Sequence, residues 1–183
     1  MCIQTKSASG TPFRRLLILG SPGAGKSTLA RRIAASTGLP LVHLDRLYWQ
    51  PGWLEPEREA WLARLREELA KPAWIMDGNY GATLEERLHF ADAALVLDYP
   101  MLLCLRRALW RVLSTRGRVR TDMGRDCPEH FDAEFLAYIV RFRQEQRTAL
   151  LSAVRHFRGS KLILTSPRQR ARIEEFLQCA KIA

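Results

Sequence analysis

Short apolar runs alternate with amphipathic segments along the chain. Five runs have the length of buried strands, and they cover residues 15–19, 41–44, 73–76, 94–97 and 161–164. Between them, apolar residues recur at helical spacing, as Trp61, Leu65 and Leu69 do in a helix predicted over 56–70. Strands that alternate with helices predict an α/β protein with a parallel sheet covered by helices.

Helix start and stop signals bound the other predicted helices. The first follows Gly25 and ends near residue 36, because Gly38 is a stop signal. Thr83 is the expected cap of a helix that runs to residue 91, and Asp132 that of a long helix that runs to 156. Pro100 opens another helix, and Ser166 caps the last one.

The length of 183 residues suits one domain. We expect a polar leader over 1–13 and a single domain over 14–183, with an acceptor-side region at 45–70 and a lid at 112–131. No apolar run reaches the roughly 20 residues of a membrane-spanning helix, and the amino terminus lacks the apolar centre of a signal peptide. The four cysteines lack zinc-ligand spacing, which favours reduced thiols in a cytoplasmic protein.

The most specific motif follows the first predicted strand. Gly-x-x-x-x-Gly-Lys-Ser/Thr is matched by Gly20, Gly25, Lys26 and Ser27. Glycines allow the backbone to approach phosphates, and the amides of the loop and of the helix start point at the anion. Lys26 is expected to contact the terminal phosphates and Ser27 to ligate Mg²⁺. The predicted ATP site comprises Gly20, Gly23, Ala24, Gly25, Lys26, Ser27 and Thr28.

A magnesium site beside this loop needs a carboxylate at the end of a neighbouring strand. Asp77 and Asp98 both end predicted strands. The sharp exit Gly78-Asn79-Tyr80 places Asp77 at the carboxyl edge, where ligands bind in open α/β sheets, so we prefer Asp77. The alternative for either aspartate is a cap of the following loop, and this is the favoured interpretation of Asp98.

Arginine is abundant and clustered. The formal net charge is +10, and arginine supplies 24 of the 29 basic residues. Seven arginines lie between residues 106 and 125, where we predict a loop that closes over phosphates: Arg116, Arg118 and Arg120 from the loop, and Arg107 and Arg111 from the preceding helix. The alternative is a solvated basic face. On the long helix, Arg143 or Arg147 is a further candidate for the cleft.

Several motifs together indicate a family. The phosphate loop and the downstream arginines resemble the adenylate-kinase-like branch of P-loop kinases. More narrowly, the chain resembles the bacterial group labelled DNA topology modulation proteins in His43-Leu44-Asp45, Trp49-x-Pro51-Gly52-Trp53 and Asp77-Gly78-Asn79-Tyr80. The resemblance covers nearly the whole chain after residue 13. It implies a three-layer P-loop fold with strand order 2-3-1-4-5.

The resemblance also implies roles on both sides of the cleft. Asp45 is expected to orient or deprotonate an acceptor hydroxyl, although a loop cap is the alternative. Adenylate kinases have Asp-Gly-Phe-Pro-Arg where this chain has Asp77-Gly78-Asn79-Tyr80-Gly81, so Arg87 is a candidate to replace the missing guanidinium at the acceptor. Pro167 and Arg168 are expected under the base of ATP. Arg116 and Arg120 are expected to act in catalysis.

The aromatic residues near Asp45 have two interpretations. Trp49, Trp53 and Tyr80 either stack on a ring of the acceptor or anchor their loops on the core. His43 shares the side of its strand with Asp45, and we interpret it as a polar residue satisfied at the strand end rather than a ligand.

Three functions fit these observations. The favoured one is a kinase that transfers the γ-phosphoryl group of ATP to a nucleotide or a small hydroxylated metabolite. The second is a nucleic-acid-associated ATP-binding protein, and the third is an NTPase switch that acts on a partner. The concentration of arginines at the expected lid argues against the nucleic-acid function, which requires basic side chains on an outer face. The chain is expected to be a monomer or a homodimer.

Overall fold

The computed structural model describes residues 13–115, 117, 119, 121–124, 126–128 and 133–179. Five parallel strands form one sheet with the order β2-β3-β1-β4-β5. The strands are β1 (Arg15–Gly20), β2 (Leu41–His43), β3 (Trp74–Asp77), β4 (Ala93–Leu97) and β5 (Ser160–Leu164). The predicted fold class and strand order are therefore confirmed.

Helices cover both faces of this sheet. They are α1 (Lys26–Thr37), α2 (Leu44–Tyr48), α3 (Arg58–Ala70), α4 (Leu84–Phe90), α5 (Met101–Thr115), α6 (Ala133–Arg141), α7 (Arg147–His156) and α8 (Ala171–Cys179). Leu16 and Ile18 of β1 pack with residues of α1, α5 and α8, whereas Leu17 and Leu19 pack with α3, α4 and α7. Because successive strand residues point to opposite faces, one apolar strand serves two cores.

The carboxyl edge of the sheet faces the loops that carry chemistry. β1 ends at Gly20, β2 at His43 and β3 at Asp77, and these three strands are neighbours. His43 is in register with Asp77, and Ile18 with Asp77 from the other side. The strand order therefore brings the phosphate loop and the two polar strand ends to one place.

The structure differs from the sequence predictions at several boundaries. Asp45 lies in the first turn of α2, a five-residue helix that follows β2 directly, rather than at the end of the strand. The long predicted helix is divided into α6, a π-helical segment at Phe142–Gln146, and α7. Asp132, its predicted cap, lies outside the described residues. Phe13, the last residue of the predicted leader, is buried in the core against Phe176.

Within the described residues, no helix is both long and apolar enough to span a membrane.

Candidate active site

One large cleft opens at the carboxyl edge of the sheet. Its volume is about 1340 Å³, which exceeds the roughly 300–1,000 Å³ of a pocket for a single small ligand. It is lined by the phosphate loop and α1, by Asp45 and Trp49, and by the segment after β3. Residues of α5, α6 and α8 complete the wall. The cleft therefore has room for two ligands side by side.

The phosphate loop has the backbone that its glycines permit. Gly20, Gly23 and Gly25 have φ angles of 129°, 78° and 95°, which are left-handed values that other residues rarely adopt. A Cβ at Gly20 would collide with the backbone of Leu97, and one at Gly23 with that of Cys104. The loop leads directly into the amino terminus of α1, where the helix dipole favours an anion.

Lys26 is held at the mouth of this loop. Its Nζ donates to the carbonyl oxygens of Gly20 at 3.0 Å and Ser21 at 3.2 Å. Burial lowers the pKa of Lys26 from its ordinary value, and the carboxylates of Asp45 and Asp77 oppose this effect. A buried ammonium gains from an anion placed beside it, as a phosphate would be.

The two candidate carboxylates have different partners. Asp98 is held by Arg147, whose Nε and Nη2 donate to its two oxygens at 2.7 and 2.6 Å. Asp77 is buried, and its Oδ1 lies 2.5 Å from Nδ1 of His43. An ionised carboxylate only accepts, so Nδ1 of His43 is the donor. Both oxygens of Asp98 are engaged by one guanidinium, whereas Asp77 lines the cleft.

Asp45 faces the same cleft from α2. The hydroxyl of Tyr80 donates to Asp45 Oδ1 at 3.0 Å. Burial raises the pKa of this phenol, and Asp45 raises it further, so Tyr80 remains a donor throughout the physiological range. Tyr138 from α6 also lines the cleft. Burial raises the pKa of its phenol, and the charge of Asp45 raises that pKa further. The structure thus joins Asp45 and Tyr80 by a hydrogen bond, whereas the sequence predicts each of them only as a separate site residue.

Arg87 does not line the cleft, contrary to its expected role at the acceptor. It is fully buried and lies under the turn after β3. Its guanidinium donates to the carbonyl oxygens of Gly78, Asn79 and Tyr80, and Nε donates to Thr83 Oγ1. Burial lowers the pKa of Arg87 to about 9, which leaves it a cation at neutral pH. Arg87 therefore positions the turn that carries Tyr80.

The tryptophan loop, residues 49–53, packs on the described part of the predicted lid. The amide of Gly52 donates to the carbonyl oxygen of Asp126 at 3.0 Å, and Nε1 of Trp53 donates to that of Pro128 at 3.2 Å. Sγ of Cys127 donates to the carbonyl oxygen of Gln50 at 3.2 Å. From the other side, Arg31 of α1 donates to Thr121. Between residues 117 and 128, the described residues lie in turns and one isolated bridge rather than in a helix, and they are packed rather than free of contacts.

The predicted arginines have different positions. Arg107 and Arg111 line the cleft, and Nη1 of Arg107 donates to the carbonyl oxygen of Ala24 at 3.0 Å. Arg111 lies 5.2 Å from the ring centroid of Phe135. Arg143 is exposed and does not line the cleft; Gln146, three residues later, does. Arg116, Arg118 and Arg120 lie outside the described residues.

The segment expected under the base of ATP differs from the prediction in the residues that line the cleft. Ser166 caps a 3₁₀ turn (Pro167–Arg170), because its side chain accepts from the amide of Arg168. The cleft is lined by Arg170, Ile173 and Glu174 rather than by Pro167 and Arg168, which do not line it. The cap was predicted correctly, but the 3₁₀ turn rotates the following residues toward the cleft instead.

Some residues of the cleft were absent from the predicted site. Asp122 and Met123 are buried in its wall, and Tyr138 donates to Gln146 at 3.2 Å. Their positions depend on how the lid and α6 pack. No motif or residue spacing in the sequence indicates this packing.

Comparisons with known proteins bear on the fold. No protein-family model and no curated protein matches the chain. Among solved structures, shikimate kinase from Bacteroides thetaiotaomicron is similar, with a TM-score of 0.54 and 17% sequence identity over 91% of this chain and 95% of that chain. At this identity the likeness concerns the fold alone, a five-stranded parallel sheet of order 2-3-1-4-5 covered by helices.

Proposed function

We propose that this chain is a kinase that transfers the γ-phosphoryl group of ATP, with Mg²⁺, to a hydroxyl group of a nucleotide or a small metabolite. The observation that carries the proposal is the cleft itself. The phosphate loop with Lys26 and a carboxylate, Asp45, with its donor Tyr80, line the same cleft. A phosphate-binding loop beside an acid–base pair suits transfer between two bound substrates.

On the donor side, Lys26 and the loop amides would bind the phosphates. The hydroxyl of Ser27 and the carboxylate of Asp77 would hold Mg²⁺, since oxygen ligands suit this ion. His43 fixes Asp77 through the bond at Oδ1 and leaves Oδ2 for this purpose. The ion supplies positive charge for the developing phosphoryl group.

On the acceptor side, Asp45 would bind the acceptor hydroxyl and take its proton. A bond forms between the acceptor oxygen and the γ-phosphorus, the bond to the bridging oxygen breaks, and ADP leaves. Catalysis in such transfers rests on positioning and on charge stabilisation. Arg111, together with Arg116 and Arg120 of the lid, would stabilise the charge on the transferred group.

Phosphate transfer to a panel of nucleotides, nucleosides, sugars and hydroxy acids tests the proposal. We expect ³¹P NMR to show a new phosphomonoester that requires both ATP and Mg²⁺. Asp45→Asn should lower kcat by about 10²–10⁴-fold, the usual contribution of a general base. Glu67→Gln, the same change on the exposed face of α3, should leave the rate unchanged. ATP binding without transfer to any acceptor, or full activity of Asp45→Asn, would refute the kinase.

A further inference from the structure

The helix α5 is apolar on two sides. Its inner side packs on the core through buried residues. Its outer side carries exposed large apolar residues, of which Trp110 is 72% and Leu113 75% exposed. The set on this side is Leu102, Leu109, Trp110 and Leu113. In the described part of the chain, only Leu54 and Val119 are further exposed residues of this kind, so α5 concentrates them in one patch.

The exposed residues form one continuous stripe. Leu102, Leu109 and Leu113 recur at a spacing that keeps side chains on one face of a helix. Arg106 is exposed within the stripe, and Trp110 lies along its border. The outer face of α5 is therefore defined as Leu102, Arg106, Leu109, Trp110 and Leu113. None of these five residues lines the cleft, so the outer face is separate from the candidate site.

The remaining residues of this chain offer little apolar surface to cover the outer face. Those outside the described part are mostly polar or charged, and arginine is found at four of these positions directly after α5. Their large apolar side chains are scattered over three separate stretches, as Met1, Ile3, Phe131 and Ile182. A second copy of the chain, in contrast, presents a continuous apolar stripe of the same length.

The outer face is complementary to itself under a two-fold axis. When two copies of α5 pair antiparallel, residues at similar distances from the middle of the helix face each other. Leu102 of one copy then packs on Leu113 of the other, and Arg106 meets Trp110. Each guanidinium lies against an indole rather than against a second guanidinium, a pairing that cation–π attraction favours. Both contacts occur twice, once on each side of the axis.

The area of the outer face fits a small interface. Its apolar residues expose roughly 400 Å² per chain, since a large apolar side chain presents about 100–200 Å². Two copies bury twice this area, and with Arg106 the total reaches about 1,000 Å², the lower bound for a specific interface. An interface of this size predicts a reversible dimer with a Kd on the order of 1–100 µM.

We propose that two copies of this chain form a homodimer through the outer face of α5, with the two helices antiparallel. The interface leaves out Arg107 and Arg111, which lie on another side of the same helix and line the cleft. The inference concerns association alone and is independent of the proposed kinase function.

Sedimentation velocity at protein concentrations from about 1 to 300 µM measures the association. We expect the mass to rise with concentration from 21.0 kDa toward twice this value. Because each copy has a formal net charge of +10, salt screens repulsion between the copies, so the dimer should be at least as tight in about 0.5 M salt as in about 0.05 M. A monomer throughout this range, or association that weakens steeply with salt, would overturn the proposal.

A charge placed in the outer face tests its location. Leu113→Glu buries a carboxylate in the interface and should weaken the dimer by about 10-fold or more. Leu54→Glu is the matched control, because it makes the same change at a leucine that is 62% exposed outside α5, and it should leave the Kd unchanged. Equal thermal unfolding of both variants verifies their folding. Wild-type association of Leu113→Glu would show that another surface pairs and would refute the interface.

Cysteine cross-linking tests the antiparallel arrangement. In a background with Cys2→Ser and Cys179→Ser, we expect a mixture of the variants Leu102→Cys and Leu113→Cys to form an intermolecular disulfide under mild oxidation. The two copies of residue 102 lie roughly 15 Å apart along the helix axis in an antiparallel pair, which is too far for a disulfide. Each variant alone should therefore stay largely uncrosslinked on a non-reducing gel. Cross-linking of the single variants as efficient as that of the mixture would overturn the antiparallel pairing.

Discussion

Lys26 is a half-buried ammonium whose surroundings lower its pKa. Because burial lowers its pKa in the free chain and bound phosphates raise it, the complex with MgATP holds more protons than the free chain at alkaline pH. We therefore predict that MgATP affinity decreases as pH rises through the lowered pKa of Lys26. Calorimetric titrations between pH 7 and 10 measure this.

Lys26→Arg is the control for this titration, because arginine stays charged over that range. Its affinity for MgATP should change little between pH 7 and 10. A wild-type profile that coincides with that of the variant would show that Lys26 does not titrate.

Arg87 is a buried cation that satisfies three backbone carbonyl groups at once. Arg87→Ala leaves these groups buried without their donor, so we predict a loss of about 3 kcal/mol or more in the free energy of unfolding. Urea denaturation measures it. Arg66→Ala removes an arginine bound to Glu86 on the surface and should cost less than about 1 kcal/mol. Similar losses in both variants would contradict the role of Arg87.

Single residues were predictable from sequence only where a local motif specifies them. The glycines and Lys26 belong to a contiguous motif, so the sequence alone predicts the phosphate loop. Arg87 follows two glutamates on a predicted helix, a pattern typical of a solvated arginine. Nothing local indicates that three carbonyl groups converge on it. Arg170 rather than Arg168 lines the cleft because of the 3₁₀ turn, and the cap signal does not specify the length of that turn.

The tryptophan loop and the segment 121–128 are joined where the acceptor is expected. Gly124 has no room for a Cβ, because the backbone of Trp49 occupies that space. We predict that Gly124→Ala separates the two segments and raises the acceptor KM by about 10-fold or more while the KM for ATP stays the same. Steady-state kinetics with each substrate varied in turn measure this.

Ser152→Ala is the control for Gly124→Ala. Ser152 is exposed on α7 and does not line the cleft. Its KM values should match those of the wild type. A higher KM for ATP in Gly124→Ala would place this segment on the donor side instead.

The division of the long helix shows where pattern analysis fails for elements. The sequence analysis predicts one continuous helix through 142–146, yet the backbone there is π-helical. This segment ends at Arg147, which holds Asp98 at the end of β4 through two bonds. The connection is between distant parts of the sequence, so a local pattern cannot indicate it. The strands β1, β3 and β4, in contrast, are recognisable as apolar runs because they are buried on both faces.

The whole chain should be stabilised by the ligand of its phosphate loop. A ligand at 100 times its Kd adds about 2.7 kcal/mol to the stability of the native state. For a domain of this size we predict a rise in Tm of about 5–10 °C with MgATP. Differential scanning calorimetry measures it, and Lys26→Ala should lose most of the shift. An equal shift in that variant would place ATP elsewhere.

The packing of the tryptophan loop also means that intrinsic tryptophan fluorescence should report ligand binding. Of its five tryptophans, Trp61 and Trp74 are buried in the core, and Trp110 is open to water, so their emission should stay constant when ligands enter. Trp49 and Trp53 lie between the cleft and the segment 121–128, and only their indoles would change surroundings. A blue shift or quenching of the intrinsic tryptophan emission would therefore measure acceptor binding beside Trp49 and Trp53 without any added dye.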